Sequence, residues 1–133
     1  MEVIYTLRDD TDAIAQMQHG SLSDATAGLQ VTHGLIGSNE WWAHIESGSL
    51  PVLLSQGVVS GFWPGQWGDG PAEFEVQQSD GHKTHWLCRL EPKQAKRVFV
   101  LGRPVVVQYV NQLLKHEFAG KRESKVTIAI SLD

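Results

Sequence analysis

The chain of 133 residues has a single cysteine, Cys88. That excludes an internal disulfide framework and fits a reducing compartment. Proline is also scarce, at five residues. No uninterrupted apolar run approaches the ~20 residues of a membrane span. The first dozen residues carry Glu2, Asp9, Asp10 and Asp12 where a signal peptide needs a basic start and an apolar run. A cytoplasmic protein with no membrane association is the expectation. Basic residues are nearly missing from the first part of the chain: residues 1–82 hold only Arg8 against eleven acidic side chains. Residues 83–125 reverse this, with ten basic and three acidic residues. Such asymmetry points either to an anionic partner or to halves that interleave and neutralise each other. It also admits a homodimer held by complementary surfaces.

What is present reads as one domain, 1–133, of ordinary globular composition. Period-two alternation dominates. In "AEFEVQQ", Phe74 and Val76 alternate with Glu73, Glu75 and Gln77. In "THWLCRLE", Trp86, Cys88 and Leu90 share one face, and His85, Leu87 and Arg89 the other. "KVTIAISLD" puts Val126, Ile128, Ile130 and Leu132 inward, and "MEVIYTLRDD" reads as an edge strand. "SDGHK" supplies an Asp-Gly hairpin turn. "PVLLSQGVVSGFW" is a strand whose glycines at 57 and 61 mark bulges or bends. "LQVTHGLIG" is expected to be a strand with Leu29, Val31, His33 and Leu35 on one face. Residues 104–112, "PVVVQYVNQ", carry both helix and strand signals; the β-branched run decides for strand. Two segments read as helices. "DDTDAIAQMQHG" is fronted by acids and closed by Gly20, and "NEWWAHIES" is capped by Ser38 and stopped by Gly48. About seven strands and two or three short helices result. The expected fold is mainly β, at the margin of α+β: a small curled antiparallel sheet or barrel of SH3-like or OB-like size.

The segments "GLIGSNEWWAHIESGSLPV", "GVVSGFW", "PAEFEV" and "GRPVVVQYV" resemble a group of small bacterial β-barrel proteins with a Gly-Ser-x-Glu-Trp-Trp stretch, some of them carried in mobile gene cassettes such as integrons. The resemblance covers roughly residues 34–112 and rests on Gly37, Ser38, Glu40, Trp41, Trp42, Gly102 and Arg103. It implies a barrel and no particular activity or catalytic residue.

Chemistry-bearing motifs are sparse. His82, His85 and Cys88 cluster in sequence, but alternation sends His85 and Cys88 to opposite faces, so no metal site is expected. Cys88 reads as a core thiol and the histidines as surface residues. No nucleophile elbow, phosphate-binding glycine loop or zinc-protease motif occurs. Glu73 and Glu75 flank Phe74 as a carboxylate pair, and read as solvated. The balance leans away from an enzyme, and no cofactor is implied. Trp41, Trp42 and Trp86 belong to the core by their spacing. Phe62, Trp63 and Trp67 surround turn-forming residues in "FWPGQWGDGP" and suit a binding loop, with Trp67 as the exposed contact. Arg97 and Arg103 complete the candidate binding set. The function expected is a non-enzymatic binding module for a protein or small molecule. The alternative is an OB-like barrel for single-stranded nucleic acid, with aromatics for stacking and basic residues for phosphates; the net charge of −4 counts against it.

Overall fold

The computed structural model describes residues 1–23, 28–64 and 70–133. Six strands occur among them: β1 (Glu2–Thr6), β2 (Leu53–Pro64), β3 (Pro71–Gln77), β4 (Lys83–Leu87), β5 (Pro104–Phe118) and β6 (Lys121–Leu132). Three α-helices join them: α1 (Thr11–Leu22), α2 (Asn39–Ser47) and α3 (Pro92–Val98). The sheet runs in the order β1-β6-β5-β2-β3-β4, so β1 and β4 are its edges. The protein is therefore mainly β, as its alternation implies. Strands from the acidic and basic parts of the chain are interspersed in this order.

Contacts group the chain into two compact units. One comprises Met1–Tyr5, Leu54–Gln108 and Ala129–Asp133; the other comprises Thr6–Leu53 and Tyr109–Ile128. In the first, Phe74, Val76, Val105, Val107 and Ile130 are fully buried. Phe74 stacks on Phe99 at 4.5 Å between centroids. Beside them Ser55 and Thr84 share a buried hydrogen bond of 2.7 Å, and the Trp86 indole donates to Thr84 Oγ1 at 2.8 Å. In the second, Trp41 is fully buried and meets Trp42 edge to face at 4.8 Å. The Trp41 indole N–H donates to Gln112 Oε1, whose amide nitrogen donates to Gln30 O at 2.7 Å and Thr32 Oγ1 at 2.8 Å.

Three helix signals act as their chemistry requires. Asp10 Oδ1 accepts from the Ala13 amide at the start of α1, and Ser38 Oγ accepts from the Trp41 amide at the start of α2. Gly48 closes α2 with a left-handed φ of 84°.

Several expectations need correction. Gly20 does not stop α1, which continues to Leu22. The Lys115 ammonium donates to the carbonyls of Gly20 and Ser23 at 2.8 and 2.7 Å, satisfying the helix C-terminus from outside. "LQVTHGLIG" is not a strand: it makes one isolated bridge, Leu29 to Leu114, before Gly34 and Gly37 turn it at φ of 82° and 77°. β4 ends at Leu87 instead of running to Leu90, and Arg89 takes a left-handed φ of 63°. α3 is the third helix, in a segment to which the sequence pattern assigned no element; Pro92 at its first turn is a helix-start signal. Residues 104–112 are strand, and β5 runs on to Phe118. Its buried positions change phase, from Val105 and Val107 to Val110 and Gln112.

Candidate binding face on β2, β3 and β4

Strand register assembles an organised exposed face in the first unit. β2 and β3 pair antiparallel with Gly61 opposite Glu75, Phe62 opposite Phe74 and Trp63 opposite Glu73. β3 and β4 pair with Glu73 opposite Leu87 and Glu75 opposite His85. Paired residues of a sheet share a face. Phe74 is fully buried, so its neighbours Glu73 and Glu75 point outward together with Trp63, His85 and Leu87. The register slips between Val59 and Gly61, which puts the irregularity beside the second of the two glycines singled out in this strand.

Glu75 is not the solvated carboxylate its outward position suggests. Its side chain is only 12% exposed. Ser60 Oγ donates to Oε1 at 2.8 Å, His85 Nε2 contacts Oε2 at 2.9 Å, and Lys83 Nζ lies 3.7 Å from Oε1. The Ser60 hydrogen bond holds the Glu75 carboxyl below its ordinary pKa; partial burial opposes this, and His85 and Lys83 reinforce it. A depressed carboxyl pKa contributes stability above the unfolded-state value, and that contribution is lost as pH falls through the folded-state value. Ser60→Ala should therefore raise the Glu75 midpoint towards that of a free glutamate. A carboxyl-carbon NMR titration checks this; an unchanged midpoint would show that the serine does not control the charge.

The His85 imidazole also stacks on Trp63, with centroids 4.7 Å apart and planes 27° apart. The indole reaches it across Gly61, where an added Cβ would lie 3.7 Å from Trp63 Cη2. Trp63 is thus held in place while remaining 40% exposed, and Phe62 is 44% exposed.

Cys88, the next residue after β4, is 1% exposed, and burial pushes its thiol up to about 12, with the Glu73 charge adding to the effect. The native protein should resist a thiol-specific reagent at pH 8 and react fully in denaturant. Rapid modification of the folded protein would contradict this burial.

The RhsI2 immunity protein model matches residues 1–132. The chain belongs to the RhsI2 immunity protein family. A comparison with curated proteins found no match.

In this immunity-family chain, the other residues singled out from sequence are dispersed. Trp67 lies outside the described residues. Arg97 is exposed on α3 with Lys93 and Lys96. The Arg103 guanidinium is held by main-chain oxygens, donating to Asp133 O and Val98 O, each at 2.8 Å. Lys115 caps α1, and Lys125 lies over the Tyr109 ring at 5.6 Å. His82, His85 and Cys88 do not converge, and among the described residues no group of three or more His, Cys, Asp or Glu side chains is placed to hold a metal ion. No helix among them is long and apolar enough to cross a membrane. Trp63, expected in a binding loop, is partly exposed on β2; its stacking partner His85 was not foreseen. The outward phase of Glu73, Glu75, His85 and Leu87 was legible; their juxtaposition depends on cross-strand register, which alternation within one strand does not specify.

Proposed function

We propose that this protein is a non-enzymatic binding module that protects a cell by binding and occluding a cognate protein toxin. The observation that carries the reading is the immunity-family match over residues 1–132. The face built from Trp63, Glu73, Glu75, His85 and Leu87 supports it as the contact surface. An aromatic ring fixed by stacking, set among polar groups, has the character of an interface hot spot. Its hydrogen bonds are made within the sheet, so little side-chain freedom remains to be lost on binding.

Occlusion requires stoichiometry, whereas an enzyme acting on the toxin or its product would turn over. Co-expression with the cognate toxin at graded ratios distinguishes them. Protection should appear only when this protein equals or exceeds the toxin, and the two should co-elute as a complex on size exclusion. Full protection at a hundredfold deficit, without a complex, would overturn the proposal.

A further inference from the structure

Glu73 differs from Glu75 in one respect that bears on what the face binds. Glu75 is hydrogen-bonded to Ser60 and His85 and ion-paired with Lys83. Among the described residues, no ion pair engages Glu73. Lys83 and His85, the nearest nitrogen-bearing side chains in the register, are both turned to Glu75. Glu73 instead lies in a cross-strand row, with Trp63 opposite it on β2 and Leu87 opposite it on β4. Those two flanking side chains are 40% and 46% exposed. A carboxylate whose cross-strand neighbours in the register are Trp63 and Leu87 stays hydrated while the face is open. Once a partner covers Trp63 and Leu87, that carboxylate loses water and needs a cation.

The Trp63 ring narrows the choice of cation. Guanidinium is planar and weakly hydrated; it stacks on an indole face while its N–H fork engages a carboxylate side-on. An ammonium is compact and strongly hydrated, so it gives up more on entering such a site. The His85 stack holds the indole in place before any partner arrives. We propose that the row Trp63–Glu73–Leu87 is the docking point for an arginine side chain of the bound protein. This deepens the toxin-binding reading and rests on it for the identity of that protein.

The experiment has two arms. The first needs no toxin. N-acetyl-arginine amide is titrated into the labelled protein while the Trp63 indole N–H resonance is followed. N-acetyl-lysine amide and N-acetyl-citrulline amide, the latter a neutral counterpart of similar shape, serve as comparators. Arginine should shift the Trp63 signal saturably, with lysine weaker and citrulline weaker still, and leave Trp41 unmoved. Glu73→Gln should abolish the difference between arginine and citrulline. Equal shifts for arginine and citrulline, or shifts indifferent to Glu73→Gln, would overturn the arginine site.

The second arm measures the affinity of the cognate toxin by calorimetry. Glu73→Gln should weaken it roughly tenfold or more, the usual scale for a charge-assisted hydrogen bond. Trp63→Ala should weaken it about thirtyfold or more, as for a hot-spot residue. Trp63→Phe keeps a ring and should fall between Trp63→Ala and wild type. A single cooperative thermal transition establishes that each variant is folded. If wild type and all three variants bind equally, the docking point is overturned while neutralisation stands. If no toxin complex forms but the arginine response at Trp63 persists, the neutralisation reading falls and the arginine site survives.

Discussion

Trp41→Ala is expected to lower stability by about 3–5 kcal/mol, the range for truncating a large buried ring. The indole is fully buried and meets Trp42 at 4.8 Å. Removing it leaves a cavity and deprives Gln112 Oε1 of its donor. The carboxamide nitrogen of Gln112 would still reach Gln30 and Thr32, so the oxygen alone is left unsatisfied. Small domains are stable by only about 5–15 kcal/mol, so this one substitution could consume much of the margin. Trp63→Ala provides the contrast. Its ring is 40% exposed and stacks on a single histidine, so the loss should stay within about 1 kcal/mol. Urea melts of the two variants give the test, and equal midpoints would refute this division of the tryptophans.

Gly57→Ala should be the most damaging of the conservative changes, destabilising by about 3 kcal/mol or more, at the upper end of overpacking costs. A Cβ at Gly57 would run into the Gln77 carbonyl, lying 2.7 Å from its carbon and 3.0 Å from Gln78 Cα. These are backbone atoms of the paired strand and its continuation, so no rotamer change relieves the clash. The close approach itself requires glycine. Gly61, in the same strand, makes the comparison sharp: a Cβ there meets only side-chain atoms, at 3.7 and 3.8 Å. Gly61→Ala should therefore be tolerated within about 1 kcal/mol, and the reduced freedom of its unfolded chain works in its favour. Chemical melts of both variants decide the matter. Matching losses would show that strand propensity, and not the Gln77 contact, governs both sites.

The asymmetry between these glycines shows where sequence reading stops. "GVVSG" marked both as bends or bulges, and the register does slip beside Gly61. Nothing local distinguished a glycine pressed by a neighbouring backbone from one covered by an indole. The same limit explains "LQVTHGLIG", whose alternation suits a strand. A strand also needs a partner along its length, and this segment finds one only at Leu29 and Gln30, against Leu113 and Leu114. At Gly20 the helix stop was overridden by Lys115, a residue distant in sequence that satisfies the freed carbonyls.

The sequence by itself determined which residues alternate, which cap and which must be buried. It thereby determined a mainly β protein, the caps of α2, the burial of Trp41, Trp42 and Trp86, and the strand character of residues 104–112. These depend on periodicity, on side-chain hydrogen bonds within a turn, and on the cost of exposing large rings. Only the tertiary structure decided that Trp63 lies on His85, that Glu75 has its donors and that Glu73 is left between Trp63 and Leu87. Cross-strand register brings those residues together from β2, β3 and β4, and a one-residue slip in any strand would place a different set side by side.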